Sequence, residues 1–251
     1  MTAVILAAGT GTRLRPMTDT IPKALVPVGG MPMLEIVIRR LTGAGYNRLI
    51  INLHHFSGQV RDFISSHQAF GTEILFSDET DQLLDTGGAL RKMQHLLAGE
   101  EEILIHNVDI LTNLDYQKLA AAHRQSDTLA TLAVKQRPTS RSLLIDRRGL
   151  LCGWEYPERH IRICTRESQK GLSSAAYSGI SVLSPKIFGL LPEEEVFGFM
   201  PWILNLASTE KISTWDQSPA FWYEVGRPDS LEQASRELSF DPSHPDFLIR
   251  K

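Results

Sequence analysis

Apolar residues along this chain come in short unbroken runs that alternate with stretches of helical spacing. Val4 to Ala8 is such a run, closed by Gly9, and Met33, Leu34, Val37, Ile38 and Leu41 then recur along one helix face up to Gly43 and Gly45. Arg48 to Leu53 predicts a second strand, Val60, Phe63 and Ile64 mark a helix face, and Glu73 to Phe76 predicts a third strand. Thr86 to Leu97 reads as a helix, Ile103 to His106 as a strand, Tyr116 to Arg124 as a helix and Thr128 to Val134 as a strand. Near-continuous apolar strands alternating with helices imply an α/β protein, with a mostly parallel sheet covered by helices on both faces. Ligands of such sheets bind outside the carboxyl ends of the strands.

From Arg137 the texture changes. Arg137 to Lys170 is rich in arginine and broken by Pro138, Gly149 and Pro157, with β-like pieces such as Ser142 to Asp146. This predicts a small antiparallel or irregular insertion beside the main sheet. Tyr177 to Leu183 returns to a strand, Phe199 to Ala207 to an apolar helix, Phe221 to Val225 to a strand and Asp229 to Leu238 to a closing helix. The tail after Asp241, with Pro242 and Pro245, reads as a surface coil. No internal repeat, low-complexity tract or linker interrupts the chain, so a single domain is expected over residues 1–251.

Composition narrows the function classes. The 251 residues are 42% hydrophobic and 22% charged, enough to fill a real core. A net charge of −3 provides no positive field for a phosphodiester backbone, so no nucleic-acid partner is expected. Cys152 and Cys164 lack zinc-ligand spacing and form no disulfide framework; free thiols in a reducing cytosol fit them. The first apolar run lacks a basic leader, and no stretch approaches the roughly 20 apolar residues that span a bilayer. A cytoplasmic protein without a membrane partner is the expectation.

Leu6 to Lys23 carries the chemistry. A strand delivers the chain into Gly9-Thr10-Gly11-Thr12, where absent side chains let backbone N–H groups approach an anion, and Arg13 and Lys23 add positive charge. The pattern is neither a Walker loop, which needs four residues between its glycines, nor a dinucleotide fingerprint, which needs a third glycine where Leu14 stands. Among other polar residues, the acidic run Asp78, Glu79, Asp81 and Asp85 reads as a solvated loop. His54 and His55 read as loop residues, because neighbours on an extended segment point oppositely. Trp154 and Trp202 read as packing.

Leu6-Ala7-Ala8-Gly9, Gly11-Thr12-Arg13-Leu14 and Pro22-Lys23, followed by Leu25, Pro27 and Val28, resemble the signature of the sugar-phosphate nucleotidylyltransferases. The likeness runs on through Gly30-Met31-Pro32-Met33 to Val225-Gly226. It implies a Rossmann-like mixed sheet of the nucleotide-diphospho-sugar transferase fold with a small antiparallel sugar-side insertion. It also implies a nucleotide-binding half over 1–135, a sugar-phosphate-binding half over 136–240 and a tail over 241–251. The implied reaction joins a nucleoside triphosphate and a sugar 1-phosphate into an NDP-sugar and pyrophosphate. Because the attacking phosphate is already ionised, cations and a metal suffice.

By this resemblance Arg13 neutralises the triphosphate and the leaving pyrophosphate, and Lys23 contacts phosphate between the reactants. Leu6 to Thr12 and Thr86-Gly87-Gly88 would hold the nucleotide with Asn107, and Asp109 matches the family's Mg²⁺ aspartate. The second metal aspartate is replaced by Glu224, in Trp222-Tyr223-Glu224-Val225-Gly226. Its extra methylene moves the carboxylate by roughly 1.5 Å, so it can bind directly after a rotamer change, bind through water, or favour Mn²⁺. Glu155-Tyr156-Pro157 stands where relatives carry glutamate-lysine-proline, with Arg166 or Lys170 as candidate substitutes for the missing lysine. Tyr177, Ser178 and Gly179 resemble the stretch lining the sugar pocket. Ala8, in place of a second glycine, and the short C-terminus look closest to the N-acetylmuramate 1-phosphate uridylyltransferases of peptidoglycan recycling. Mannose- or heptose-1-phosphate guanylyltransferase is the alternative within the family. A nucleotide-binding regulator without turnover is the alternative outside it, motivated by Glu224 and Tyr156.

Overall fold

The apolar runs form strands because their residues are buried on both faces. A computed structural model describes residues 1–166, 171–241 and 247–250, and the chain divides into two compact units. The first comprises Met1–Leu83, His106–Tyr116 and Ala220–Lys251, the second Leu84–Ile105 and Gln117–Pro219.

In the first unit the strand Thr2–Leu6 is buried throughout and pairs in parallel with Arg48–Leu53, which pairs in parallel with Glu73–Asp78. The helices Met33–Gly43, Ser57–Ser66 and Pro228–Glu237 accompany them. Leu34, Ile36, Ile38 and Leu41 of the first helix are fully buried, as are Leu49, Ile50 and Ile51 of the middle strand. Each such side chain stabilises the fold by about 1.5–3 kcal/mol. A short antiparallel pair, Ile110–Thr112 with Trp222–Glu224, joins the chain after Asp109 to the C-terminal segment.

The second unit holds the strands Ala130–Lys135, Ser173–Leu183 and Ile212–Asp216. The first of these runs antiparallel to the second and parallel to the third. The insertion is antiparallel: Ser142–Ile145, Leu151–Tyr156 and Ile161–Cys164 form successive pairs, and Ser173–Ala175 completes it. Its helices are Asp85–Met93 and Phe199–Leu206, with most of Tyr116–Ser126. No helix among the described residues is long and apolar enough to cross a membrane.

Three expectations are corrected. Ile212–Asp216 is a strand that the pattern did not predict, because Ser213, Thr214 and Asp216 break its apolar run. The tail is not a coil throughout: Leu248–Arg250 pairs antiparallel with Leu238–Phe240, and Phe247 stacks at 5.8 Å on Phe240. Pro242 and Pro245 lie outside the described residues. Glu79 is not solvated but fully buried, since its Oε1 accepts a 2.8 Å hydrogen bond from Asn52 Nδ2. The histidines do lie in a loop, where His54 Nδ1 sits 2.7 Å from the carbonyl of Glu79. Trp202 is buried, with Nε1 donating to the Leu190 carbonyl.

Asn52 ties the sheet to the loop that follows the first strand. It stands at the carboxyl end of the middle strand, and its Oδ1 accepts the N–H groups of Ala7 at 2.6 Å and Ala8 at 3.3 Å. Replacing Asn52 by Ala leaves two buried donors and one carboxylate oxygen without that partner. A loss of about 3 kcal/mol in denaturant unfolding is expected, at about 1–3 kcal/mol for each unsatisfied group.

A second buried polar residue, His106, gives stability a pH dependence. Burial pushes its imidazole down to about 4 from the ordinary 6.5. Between these values the unfolded chain holds a proton on His106 that the folded chain does not, so stability falls as pH drops from 6.5 towards 4. The slope is about 1.4 kcal/mol per pH unit for this group, and His106→Asn should remove that component from the pH profile of unfolding.

Candidate active site

The first strand ends at Leu6, and the next residues turn away from the sheet. Leu6 accepts the Val108 N–H at 3.1 Å, and Ala7 and Ala8 donate to Asn52. Beyond them, the N–H groups of Gly9, Thr10, Gly11, Thr12 and Arg13 donate to no acceptor among the described residues. Five consecutive free donors on an exposed loop make a cradle for an anion. Gly11 has φ +67°, and a Cβ there would lie 2.8 Å from Thr18 Cγ2 and 2.9 Å from Lys23 Cβ. Only glycine therefore lets this loop turn and lie against the Lys23 stem.

Arg13, Lys23, Asp109 and Glu224 come together. Lys23 Nζ lies 2.5 Å from Asp109 Oδ2, and Arg13 Nη2 lies 3.4 Å from Glu224 Oε1. Gly226 is the centre of the group: a Cβ there would sit 2.9 Å from Arg13 Nη2, 3.1 Å from Asp109 Oδ2 and 3.5 Å from Lys23 Nζ. The pairing of Ile110 with Glu224 and the 2.9 Å bond from Val225 N–H to the Asp109 carbonyl bring these distant segments together. Gly226 was noted in the sequence only as part of a motif; the absence of its side chain makes room for three charged groups.

The two ion pairs differ in strength. The Lys23 and Asp109 side chains are only 12% and 13% exposed, whereas Arg13 and Glu224 are 49% and 42% exposed. An exposed pair contributes about 0–1 kcal/mol, so Arg13 and Glu224 separate readily. The largely buried pair is held more firmly, because removing either partner leaves the other charge poorly solvated.

Asp109 and Glu224 offer hard carboxylate oxygens, the donor type a divalent ion of the Mg²⁺ kind takes. Each already carries a cation at its oxygen, so positive charge is favoured at both positions. No group of three His, Cys, Asp or Glu that could hold a metal occurs among the described residues. A Mg²⁺ ion that arrives with a polyphosphate needs only one or two protein carboxylates, since phosphate and water complete its shell. The residues fit that case.

The second unit carries the other predicted residues except Asn107. Thr86 Oγ1 accepts the Phe199 N–H at 2.9 Å, and the N–H groups of Gly87 and Gly88 both donate to the Phe197 carbonyl. A Cβ on Gly87 would meet the Phe197 ring at 2.4 Å, and one on Gly88 the Glu195 carbonyl at 2.2 Å. These glycines thus permit close backbone packing. Tyr177, Ser178 and Gly179 lie at a register shift between Tyr177 and Ser181, with Gly179 at φ +76°. The Tyr177 hydroxyl donates to Ser181 Oγ at 3.4 Å, and burial raises its pKa above the ordinary 10.0. Glu155 pairs across strands with Ser142 and Arg162. Tyr156 has the Arg141 and Arg159 guanidinium groups at 4.9 and 5.6 Å from its ring centre. Arg166 donates to the Glu210 carbonyl at 2.9 Å, and Lys170 lies outside the described residues. Asn107 ends the strand Ile103–Asn107, which carries the chain from the second unit into the first.

A family model described as nucleotidyl transferase matches residues 2–142. The N-acetylmuramate alpha-1-phosphate uridylyltransferase of Neisseria meningitidis is 28% identical over 244 residues, covering 93% of this chain and 96% of that protein. The UTP–glucose-1-phosphate uridylyltransferase of Synechocystis is 26% identical over 250 residues, covering 94% of this chain; the chain spans only 63% of that relative's length. A solved structure of a putative glucose-1-phosphate thymidylyltransferase from Bacillus anthracis superposes with a TM-score of 0.78 at 20% identity, covering 98% of this chain and 99% of that one. At that identity the likeness establishes the fold, the nucleotide-diphospho-sugar transferase fold. With a family model matching more than half of its residues, the chain belongs to the nucleotidyl transferase family of enzymes.

Proposed function

We propose that this chain transfers a nucleotidyl group from a nucleoside triphosphate to a sugar 1-phosphate, with UTP and N-acetylmuramate 1-phosphate as the preferred pair. The observation that carries the reading is the convergence of Arg13, Lys23, Asp109 and Glu224 around Gly226, in the unit that also holds the five free N–H groups. The substrate pair is supported by the relative from Neisseria meningitidis, which matches this chain over nearly the full length of both. In this reading Leu6 to Thr12 and Asn107 hold the nucleotide, and Glu155, Tyr177, Ser178 and Gly179 recognise the sugar phosphate.

An ionised oxygen of the sugar phosphate attacks the α-phosphorus. The new O–P bond forms as the bond from the α-phosphorus to the bridging oxygen breaks, and pyrophosphate leaves with that electron pair. No proton must be removed, so the chain's task is to bring two polyanions together and to stabilise charge on the phosphoryl oxygens. The N–H groups of Gly9 to Arg13 receive the polyphosphate. Arg13 releases Glu224 and turns to the β- and γ-phosphates, where it stabilises the departing pyrophosphate. Lys23, held beside the loop by Gly11, contacts phosphate between the reactants. Asp109 and Glu224 would hold a divalent ion, Mg²⁺ or Mn²⁺, which would supply Lewis-acid polarisation of the phosphoryl oxygens.

A panel of UTP, GTP, CTP and dTTP against N-acetylmuramate, mannose, heptose and glucose 1-phosphates, read by pyrophosphate release with Mg²⁺, tests this. The expected best pair is UTP with N-acetylmuramate 1-phosphate. Release only with GTP and mannose or heptose 1-phosphate would replace it with the guanylyl reading, and tight nucleotide binding with no release for any pair would make the chain a regulator. Asp109→Asn should lower release about a hundredfold in a protein that still folds, with some loss of thermal stability because Lys23 loses its carboxylate partner.

Gly226→Ala tests the crowding directly. Its backbone conformation tolerates alanine, but the added methyl group displaces the Arg13 and Asp109 side chains by tenths of an ångström. A fall of about tenfold or more in kcat is expected from such misplacement, with little change in stability.

A further inference from the structure

We propose that His106 is a positioning residue for Asp109: from inside an apolar strand it fixes the Asn107–Val108 peptide, and thereby aims the Asp109 carboxylate. The inference rests on the reading of Asp109 as a ligand of the divalent ion.

His106 is 1% exposed in the run Ile103-Leu104-Ile105-His106-Asn107. Its Nδ1 lies 2.8 Å from the Asn107 carbonyl oxygen and its Nε2 lies 3.0 Å from the Tyr116 hydroxyl. A carbonyl only accepts, so Nδ1 carries the proton, and Nε2 must then accept from the Tyr116 hydroxyl. The Arg40 guanidinium carbon sits over the Tyr116 ring, 5.3 Å from its centre. Arg40 is 7% exposed and donates through Nη2 to the Leu114 carbonyl at 2.8 Å.

The relay from Tyr116 through His106 to Asn107 has one polarity for a neutral imidazole, because a carbonyl cannot donate. Its last bond matters for the site. The Asn107–Val108 peptide is held on both sides: His106 takes the carbonyl, and the Val108 N–H donates to Leu6 at 3.1 Å. On the far side of Asp109, its own carbonyl accepts Val225 N–H at 2.9 Å. The peptide one residue before Asp109 and the carbonyl of Asp109 itself are therefore anchored, and His106 is the side chain that sets the first of them.

A packing role alone does not explain an imidazole here. A buried polar ring is costly in an apolar strand unless both nitrogens are satisfied, and a leucine would fill the space without that cost. What an apolar residue cannot do is hold the carbonyl of Asn107. With that bond gone the peptide is held only through the Val108 N–H, and Asp109, two residues beyond Asn107, loses part of what aims it at Lys23.

The test compares His106→Leu, His106→Asn and Tyr116→Phe with wild type. Asparagine can present its amide N–H where Nδ1 donates. The first measurement is Mn²⁺ binding by calorimetry in the presence of a non-reactive triphosphate analogue. The second is binding of that analogue without metal, and the third is thermal unfolding. His106→Leu should weaken Mn²⁺ binding about tenfold, the lower range for a group supporting a metal ligand, with metal-free analogue binding unchanged. His106→Asn should restore most of the loss, and Tyr116→Phe should show a smaller loss in the same direction.

Equal Mn²⁺ affinity in wild type and His106→Leu would overturn the proposal, as would a folded His106→Asn no better than His106→Leu. Should His106→Leu fail to fold, His106→Asn and Tyr116→Phe decide: wild-type Mn²⁺ affinity in Tyr116→Phe overturns it. Failure of the wild type itself to bind Mn²⁺ with the analogue would instead overturn the metal-ligand reading of Asp109, and this inference with it.

Discussion

Three charged side chains share the space that one missing methyl group leaves open, and a fourth pairs with one of them. At Gly226 the chain has no side chain, and Arg13, Lys23 and Asp109 all approach that point, with Glu224 held by Arg13. Two positive and two negative groups neutralise one another, so the cluster forms without any ligand and without an uncompensated charge. The arrangement is unequal. The Lys23–Asp109 pair is largely buried and short, whereas the Arg13–Glu224 pair is longer and open to water. A polyphosphate with its cation would offer every one of these groups a new partner of opposite sign, and the exposed pair is the one that can respond at little cost.

The cluster depends on how the strand ends are held. The parallel strands Thr2–Leu6 and Arg48–Leu53 place Asn52 where its amide oxygen can accept the first N–H groups beyond the strand, which leaves the following five donors free. Leu6 in turn accepts from Val108, and this links the loop after the first strand to the segment that carries Asp109. Buried polar side chains within apolar strands, Asn52 and His106, each satisfy backbone groups just outside the regular ladder. Such groups would be expensive to leave unpaired, so they fix the geometry of the loops as well as stabilise the fold.

Much of this was legible beforehand and some was not, for identifiable reasons. Met33–Gly43 and Arg48–Leu53 appear as their apolar spacing predicts, because burial of those residues outweighs other local preferences. The strand Ile212–Asp216 was hidden by alternating polar residues, two of which serve hydrogen bonds rather than solvent: Ser213 Oγ bonds Thr131 Oγ1 at 2.7 Å, and Thr214 Oγ1 donates to the Gly149 carbonyl at 3.0 Å. Glu79 was misread because its neighbours Asp78 and Asp81 are exposed, and nothing local says that Asn52 will be there to receive it. Asn52 and His106 could have been noticed as lone polar residues in otherwise apolar runs. Thr86, Gly87 and Gly88 drew attention as a possible ligand element, and in the fold their backbone and hydroxyl groups engage Phe197 and Phe199.

The amino-acid sequence by itself determined the α/β class, the glycine-rich turn after the first strand and the residue types available for phosphate and metal, because these follow from periodicity, from φ freedom and from side-chain chemistry within a few consecutive residues. Only the tertiary structure decided that Arg13, Lys23, Asp109 and Glu224 meet, that Gly226 is what makes room for the first three, and that Asn52, Glu79 and His106 are buried. Those outcomes depend on strand pairing between segments tens to hundreds of residues apart. A residue's exposure and partners are set by what the rest of the chain brings to it, and no local pattern contains that information.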